Sequence, residues 1–224
     1  IRRQRQMCIR DRLKGKPLAY LTGKKGFWKS DFIISPDVLV PRPETETLVE
    51  AVLNENLQGK TLLELGTGSG VISISIAQES RDCIIFATDI SIKSILVAKQ
   101  NAEKFCCENI IFLNHDWNTE WLFPQVDYLI SNPPYVDKEK TSGKEEGIWY
   151  EPEKALFSND KGLSDLRLIL SKGKNYLNEN GKVYLEHAPD QYEELNKFAL
   201  ENGYLNFSNL NDLNGDKRVS IYQC

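Results

Sequence analysis

Hydrophobic residues from Lys60 onward follow two alternating patterns along the chain. Short runs of aliphatic and β-branched residues, typical of buried strands, alternate with longer stretches whose apolar residues recur at helical spacing. The predicted strands span residues 61–65, 83–88, 110–114, 126–131 and 182–187. The predicted helices span residues 69–78, 92–105, 163–177 and 191–201. This alternation predicts an α/β fold with a mostly parallel sheet and helices on both faces.

The segments on either side of this region follow other patterns. Residues 26–34 carry aromatic and aliphatic residues around a polar turn at 29–31, which predicts a β-hairpin lying outside the main core. Residues 44–56 have helical spacing. Residues 204–210 and 218–222, separated by Asn214-Gly215-Asp216, predict an antiparallel pair that closes the sheet.

Composition and charge exclude several classes of protein. A chain of 224 residues has room for one α/β domain with a small addition. No apolar run approaches the roughly 18 residues that span a bilayer, so we expect no membrane contact. The 28 basic against 32 acidic residues give a net charge of −4, which predicts no direct binding of nucleic acid.

Cysteine and histidine usage points to a reducing compartment and metal-free chemistry. The cysteines, Cys8, Cys83, Cys106, Cys107 and Cys224, form no CxxC pair, and their odd number argues against a secreted disulfide framework. Only two histidines, His115 and His187, could contribute to a metal centre. We therefore expect reduced thiols, a cytoplasmic location and no metal.

The first residues suggest an incomplete chain. The sequence begins with Ile1, and its only methionine, Met7, lies within a basic run that no apolar signal segment follows. Residues 7–12 resemble translated adapter sequence, or the basic run could be a helix end that has lost its parent domain, and we expect the chain to be a fragment. Residues 1–12 carry no part of the predicted function.

A glycine-rich run joins the first predicted strand to the first predicted helix, Glu64-Leu65-Gly66-Thr67-Gly68-Ser69-Gly70. This is where an open parallel sheet binds its ligand, since glycines let the backbone approach closely. Val71 occupies the third glycine position of the dinucleotide fingerprint GxGxxG, and no Gly-Lys-Ser/Thr follows. The run therefore predicts a ligand site but disfavours NAD and a Walker-type nucleotide.

Two side chains after later strands complete this predicted site. Asp89 follows the second strand at the distance where an acid meets the ribose hydroxyls of a nucleoside. The alternative is that Asp89 only caps the following helix. Trp117 follows the third strand and could lie beside an adenine, or could simply be part of the core.

The fourth strand ends in Asn132-Pro133-Pro134-Tyr135, at the same sheet edge as the glycine loop. The prolines stiffen the backbone and leave the Asn132 side-chain oxygen and the Pro133 carbonyl as fixed acceptors, a pair that suits a planar NH₂ group. The face of Tyr135 could stack on such a substrate. A proline turn with an asparagine cap is the alternative.

Together these motifs resemble the class I S-adenosylmethionine-dependent methyltransferases that act on planar nitrogens. Other runs narrow the resemblance to the peptide chain release factor glutamine N5-methyltransferases, the PrmC or HemK family. These runs are Pro17-Leu18-Ala19-Tyr20-Leu21-Thr22-Gly23, Leu39-Val40-Pro41-Arg42-Pro43-Glu44-Thr45-Glu46, Glu151-Pro152, Ala155-Leu156, Gly162-Leu163, Leu185-Glu186-His187 and Gln191.

The resemblance implies methyl transfer from S-adenosylmethionine to the glutamine side-chain amide in the Gly-Gly-Gln motif of peptide chain release factors. It implies a Rossmann-like methyltransferase domain at residues 43–224, a β-hairpin linker at 24–42 and the remnant of a helical region at 1–23. Asn132 and Pro133 would accept the amide hydrogens, beside Pro134 and a wall formed by Tyr135. The cofactor contacts would be Gly66, Thr67, Gly68, Ser69, Gly70, Asp89, Trp117 and Asn132.

Two alternatives remain. A nucleic-acid N6-adenine methyltransferase would share the cofactor residues and the tetrapeptide, but would need a basic recognition region, which a pI near 5.4 does not favour. A truncated cofactor-binding module would bind S-adenosylmethionine with little activity on the protein substrate.

Overall fold

The computed structural model describes residues 11–12, 14–141 and 148–224, and the predictions for residues 1–10 and 13 lie outside this part of the chain. A short helix, α1 (Leu18–Thr22), precedes an antiparallel hairpin of β1 (Lys24–Phe27) and β2 (Ser30–Ile33). Phe27 pairs with Ser30, so the turn is at Trp28 and Lys29, with Trp28 at a φ of 53°. The predicted turn at 29–31 is therefore wrong.

The hairpin belongs to the main hydrophobic core. Phe27 and Phe32 are 3% and 0% exposed and lie in the same cluster as the central sheet. The ring of Phe32 also packs edge-on against Phe105, with ring centroids 5.1 Å apart. The prediction that the hairpin lies outside the core is therefore wrong, because large rings on both strands face the sheet domain.

A seven-stranded sheet forms the centre of the protein. Its strands are β3 (Thr61–Leu65), β4 (Ile84–Asp89), β5 (Ile110–Asn114), β6 (Val126–Ser131), β7 (Leu177–Glu186), β8 (Asn206–Asn211) and β9 (Lys217–Gln223). They lie in the order β5-β4-β3-β6-β7-β9-β8. The first five are parallel, and β9 pairs antiparallel with both β7 and β8. The predicted fold class is confirmed.

Helices lie on both faces of this sheet. They are α2 (Glu46–Leu53), α3 (Val71–Glu79), α4 (Ile92–Lys104), α5 (Ser164–Gly173) and α6 (Tyr192–Glu201). Neighbouring strand residues point to opposite faces, so Leu62 packs in the cluster with α2, α3 and α4, and Leu63 in the cluster with α5 and α6. Burying one such leucine stabilises the fold by about 1.5–3 kcal/mol.

Two element boundaries lie furthest from the predicted ones. β7 begins at Leu177, five residues before the predicted start, because extra residues in β7 shift the register and let Val126 pair with Leu177 ahead of the regular ladder. The predicted helix at 163–177 ends earlier, and α5 gives way to a 3-10 turn at Lys174–Tyr176. Within the described part of the chain, no helix combines the length and apolar character needed to cross a bilayer.

Candidate active site

The glycine loop is held close to the end of β4. The backbone N–H groups of Gly66 and Thr67 both donate to the Thr88 carbonyl, at 2.9 and 2.8 Å. Gly66 has a φ of 78°, and a Cβ atom there would lie 3.2 Å from the Trp117 ring. A side chain at position 66 would therefore be strained and would disturb the indole.

Gly70 serves helix packing and lines none of the cavities described below. Its φ is 82°, and a Cβ atom would lie 2.8 Å from Ile74 Cδ1 and 3.1 Å from Ala98 Cβ. The absence of a side chain lets α3 and α4 approach each other where the loop ends. A direct contact between Gly70 and the cofactor stays a prediction.

Asp89 joins the glycine loop to the start of the next helix, and its contact with a ribose stays a prediction. Its Oδ1 accepts a hydrogen bond from the Ser91 backbone N–H at 2.8 Å, and its Oδ2 accepts one from the Gly68 N–H at 2.9 Å. Burial raises the pKa of this carboxyl group. A carboxylate offers about four lone-pair sites, so Asp89 can still accept hydrogen bonds from ligand hydroxyls.

Trp117 forms one wall beside the loop. Its indole N–H donates to Asp165 Oδ1 at 3.0 Å, and its carbonyl accepts a hydrogen bond from Lys172 Nζ at 2.9 Å. The ring packs against the second core cluster on one side and lies near Gly66 on the other. The indole is therefore held in a fixed position that suits a planar base.

Two cavities meet at the Asn-Pro-Pro-Tyr tetrapeptide. The first, of about 400 Å³, is lined by Gly66, Gly68, Asp89, Trp117, Asn132 and Pro134 among others. The second, of about 690 Å³, is lined by Asn132, Pro133, Tyr135, Arg42 and Arg218 among others. A narrow recess of about 40 Å³ adds Thr67 and Ser69 to the lining near Asn132. The tetrapeptide therefore separates the two cavities, and Asn132 faces both.

Hydrogen bonding fixes the orientation of the Asn132 side chain. Its Nδ2 donates to the hydroxyl oxygen of Thr45 at 3.1 Å, across 87 positions of sequence. The side-chain oxygen is then the end left to accept hydrogen bonds from a ligand. This orientation suits the predicted acceptor role, which stays a prediction.

A hydrogen bond to Glu186 anchors Tyr135, and the sequence motifs predicted no role for this glutamate. The Tyr135 hydroxyl donates to Glu186 Oε1 at 2.9 Å, and burial raises the pKa of the phenol. Glu186 is fully buried, and this burial raises its pKa to about 7 against the opposing hydroxyls of Thr45 and Tyr135. Glu186 could have been identified from the sequence, because a charged residue follows an apolar run at the end of β7, next to the end of β6.

The backbone of Tyr135 is also held in place. Gln191 Nε2 donates to the Tyr135 and Lys161 carbonyls at 3.0 and 3.1 Å, and its Oε1 accepts from the Ala188 N–H. A Cβ atom on Gly162 would lie only 2.0 Å from the Tyr135 carbonyl oxygen. Gly162 and Gln191, which belong to two of the runs that carry the resemblance, thus contact the backbone of the tetrapeptide.

An ion pair joins Arg42, before α2, to Glu151, which lines both cavities. Arg42 Nη2 lies 2.6 Å from Glu151 Oε1, and the Val40 N–H donates to Glu151 Oε2 at 2.9 Å. Glu151 lines both cavities and is buried. This contact brings two of the runs that carry the resemblance together beside the cavities.

Glu64 lies beneath the glycine loop and is a further buried carboxyl group. Its Oε2 accepts hydrogen bonds from Thr67 Oγ1 at 2.7 Å and from the Ser73 hydroxyl. Within the described residues its Oε1 has no hydrogen-bond partner. Burial raises the pKa of Glu64 to about 7.

Comparisons with known proteins agree with this geometry. A family model described as "Methyltransferase small domain" matches residues 43–151. The release factor glutamine methyltransferase of Salmonella typhimurium is 35% identical, over 95% of this chain and 77% of that protein. The protein of the same name from Escherichia coli K12 is 34% identical, over 94% of this chain and 76% of its own length.

Solved structures show the same fold at lower identity. A methyltransferase from Pyrococcus furiosus superposes with a TM-score of 0.65 at 20% identity, covering 98% of this chain and 97% of the other. Ribosomal protein L11 methylase from Lactobacillus delbrueckii subsp. bulgaricus gives a TM-score of 0.60 at 18% identity, covering 89% of each chain. The family inferred from the motifs is confirmed by the curated relatives, and the chain belongs to the release factor glutamine methyltransferase family.

Proposed function

We propose that the chain transfers a methyl group from S-adenosylmethionine to the side-chain amide nitrogen of a glutamine in a peptide chain release factor. The observation that carries this proposal is the position of Asn132 between two cavities, with its nitrogen bound to Thr45 and its oxygen left as an acceptor. A cytoplasmic location follows from a substrate that acts in translation.

The residues of the smaller cavity fit S-adenosylmethionine. Its volume of about 400 Å³ lies in the range of small-molecule sites, roughly 300–1,000 Å³. Asp89 supplies a carboxylate for the ribose diol, Trp117 an aromatic wall, and Gly66 a stretch of backbone without a Cβ atom. Bound there, the cofactor supplies an electrophilic methyl group on a sulfonium.

The larger cavity would take the glutamine side chain. The Asn132 oxygen and the Pro133 carbonyl accept the two amide hydrogens, and Tyr135 forms the wall beside the planar amide. These contacts hold the amide nitrogen toward the neighbouring cavity. Both acceptors lie on a stiff backbone, because the prolines restrict φ at two successive positions.

Positioning has to supply much of the rate, since an amide nitrogen is a weak nucleophile. Holding two reacting groups in the correct geometry is worth about 7–11 kcal/mol. As the new carbon–nitrogen bond forms, the amide nitrogen gains positive charge and its proton becomes acidic. The chain therefore needs no base to remove that proton before transfer, and the proton passes to water afterwards.

Transfer of a tritiated methyl group tests the proposal. The substrate is a release factor with its Gly-Gly-Gln motif, and the matched control is the same factor with Gly-Gly-Ala. We expect label on the first and none on the second. Equal labelling of both factors, or labelling of DNA in their place, would overturn the proposed substrate.

A further inference from the structure

A line of buried polar groups lies behind the tetrapeptide. Glu186 is 0% exposed and ends β7 directly beside the end of β6, where Ser131 pairs with Leu185. Its Oε1 accepts the hydroxyl proton of Tyr135 at 2.9 Å. Its Oε2 is buried and has no hydrogen-bond partner within the described part of the chain.

Thr45 lies between Glu186 and Asn132. It is 2% exposed, and its hydroxyl oxygen accepts a hydrogen bond from Asn132 Nδ2 at 3.1 Å. A hydroxyl group has one proton of its own to donate. The Thr45 hydroxyl lies close enough to Glu186 to oppose the effect of burial on the pKa of that carboxyl group.

We propose that Glu186 is a positioning residue, which holds Asn132 through Thr45 and holds Tyr135 directly. In this arrangement Asn132 donates to Thr45 and Tyr135 donates to Glu186 Oε1, and the Thr45 hydroxyl proton is directed toward the Glu186 carboxylate, whose Oε2 is otherwise without a partner among the described residues. The inference rests on the proposed function, because it concerns how the chain presents acceptors to a glutamine amide.

The direction of these hydrogen bonds matters because the two ends of an asparagine amide have nearly the same shape. If the amide turned over, its NH₂ group would face the amide hydrogens of the substrate, and donors would meet donors. Thr45 can accept from Asn132 only while its own proton points elsewhere. In its ionised form Glu186 only accepts hydrogen bonds, so it draws the Thr45 proton and keeps the Asn132 oxygen toward the cavity.

The charges around Glu186 leave it without a strong ionic partner. Arg218 lowers its pKa and Glu44 raises it, but Arg218 is itself paired with Asp212 at 3.3 Å. A buried carboxyl group that serves only strand packing is costly, and an apolar residue would serve that purpose better. A role in holding Asn132 and Tyr135 accounts for a carboxyl group at this buried position.

The test compares Thr45→Val, Thr45→Ser, Glu186→Leu and the Thr45→Val/Glu186→Leu double variant in the full chain. We expect Thr45→Val and Glu186→Leu each to lower kcat by up to about 10²-fold, as small misplacements of a reacting group do. The double variant should be no slower than the slower single variant, because both act on one chain of hydrogen bonds. Thr45→Ser keeps the hydroxyl and should recover most of the kcat lost in Thr45→Val.

Two further measurements separate positioning from loss of structure. Calorimetry should show S-adenosylmethionine affinity within about threefold of wild type, since Asp89, Trp117 and the glycine loop are unchanged in these variants. Tyr184→Phe is a matched control for Tyr135→Phe, because Tyr184 also donates to a glutamate, Glu55, at 2.7 Å but lies away from both cavities. Only Tyr135→Phe should lower kcat.

Additive losses in the double variant, or Thr45→Val with wild-type kcat, would overturn the inference while leaving the proposed function intact. If Glu186→Leu does not fold, the Thr45→Val and Thr45→Ser pair decides the question. If the wild-type chain methylates no release factor, the proposed function fails, and NMR then tests the chain of contacts. The Asn132 side-chain amide should exchange faster in Thr45→Val than in wild type, and equal exchange rates would overturn it.

Discussion

The carboxyl groups at the two ends of the central strands are held in opposite ways. Toward the amino ends, Asp127 lies 3.0 Å from Lys60, and Glu55 lies 2.6 Å from Lys182. Burial opposes ionisation of both groups, but their hydrogen bonds and lysine partners lower the pKa of each. These carboxylates are compensated within the fold.

Toward the carboxyl ends, burial raises the pKa of Glu64, Asp89 and Glu186. Their hydrogen-bond donors are hydroxyl and backbone N–H groups, and among the described residues none of the three forms a salt bridge. Perturbed carboxyl groups of this kind cluster where proteins bind ligands. The carboxylates at the amino ends are thus neutralised by lysines, whereas those at the carboxyl ends lie near the candidate site without a salt bridge among the described residues.

The largest expected difference between the two ends is in catalysis. Asn132→Ala removes one acceptor at the carboxyl end and should lower kcat about 10²- to 10³-fold, as loss of a preorganised contact commonly does. Cofactor affinity should fall far less, because Asp89 and the glycine loop remain. Single-turnover methyl transfer and calorimetry measure the two effects, and a kcat within a fewfold of wild type would remove the acceptor role.

The two ends should also respond differently to pH. The pKa of Glu64 is about 7 in the folded protein, against 4.5 ordinarily, so the folded state binds its proton more tightly than the unfolded state. The free energy of unfolding should therefore fall as pH rises from about 4.5 through 7, by up to about 3 kcal/mol for this group. Groups with a lowered pKa, such as Glu55, lose their contribution instead as pH falls.

Urea unfolding of wild type and Glu64→Gln between pH 5 and pH 8 measures this effect. Glutamine resembles the protonated acid in shape, so the variant should lose less stability over that range. Parallel stability curves for the two proteins would show that Glu64 ionises normally.

Asp89→Ala should weaken S-adenosylmethionine binding by the roughly 1.5–3 kcal/mol of a charged hydrogen bond. The matched change at the other end is Asp127→Ala, which removes the partner of Lys60 and should leave cofactor affinity unchanged. Calorimetric titration distinguishes the two variants. Equal affinities for wild type and Asp89→Ala would place the ribose elsewhere.

The smallest effect is expected for Lys182→Met, at the amino end. The pair with Glu55 is partly exposed, and its loss should cost about 1 kcal/mol of stability. Thermal unfolding measures the loss. The rate of methyl transfer should stay at the wild-type value, and a slower rate would mean that the amino ends also influence the site.

The sequence was sufficient for features that are local. The bounds of β3, β5 and β6 match the predicted ones, because short apolar runs there end at glycine, proline or asparagine. The glycine loop and the tetrapeptide were placed at one sheet edge because parallel strands bring their carboxyl ends together. Each motif consists of residues that are neighbours in the chain.

Contacts between distant segments could not be predicted. The hydrogen bond from Asn132 to Thr45 spans 87 positions, and that from Tyr135 to Glu186 spans 51. The burial of Phe32 depends on where the hairpin docks, which its own alternation does not encode. Periodicity reports which face of an element is apolar, but not which element will cover it.

The position of Asn132 between the two cavities also bears on how the enzyme could be inhibited. Because the two cavities meet there, a compound that joins an adenosyl group to a glutamine-like amide through a very short link could fill both at once. Binding of one half would present the other at an effective concentration in the millimolar range, which can raise affinity about 10²- to 10⁴-fold without any new contact. The link has to be about as short as the transferred carbon itself, so its length should decide inhibition more strongly than its chemistry.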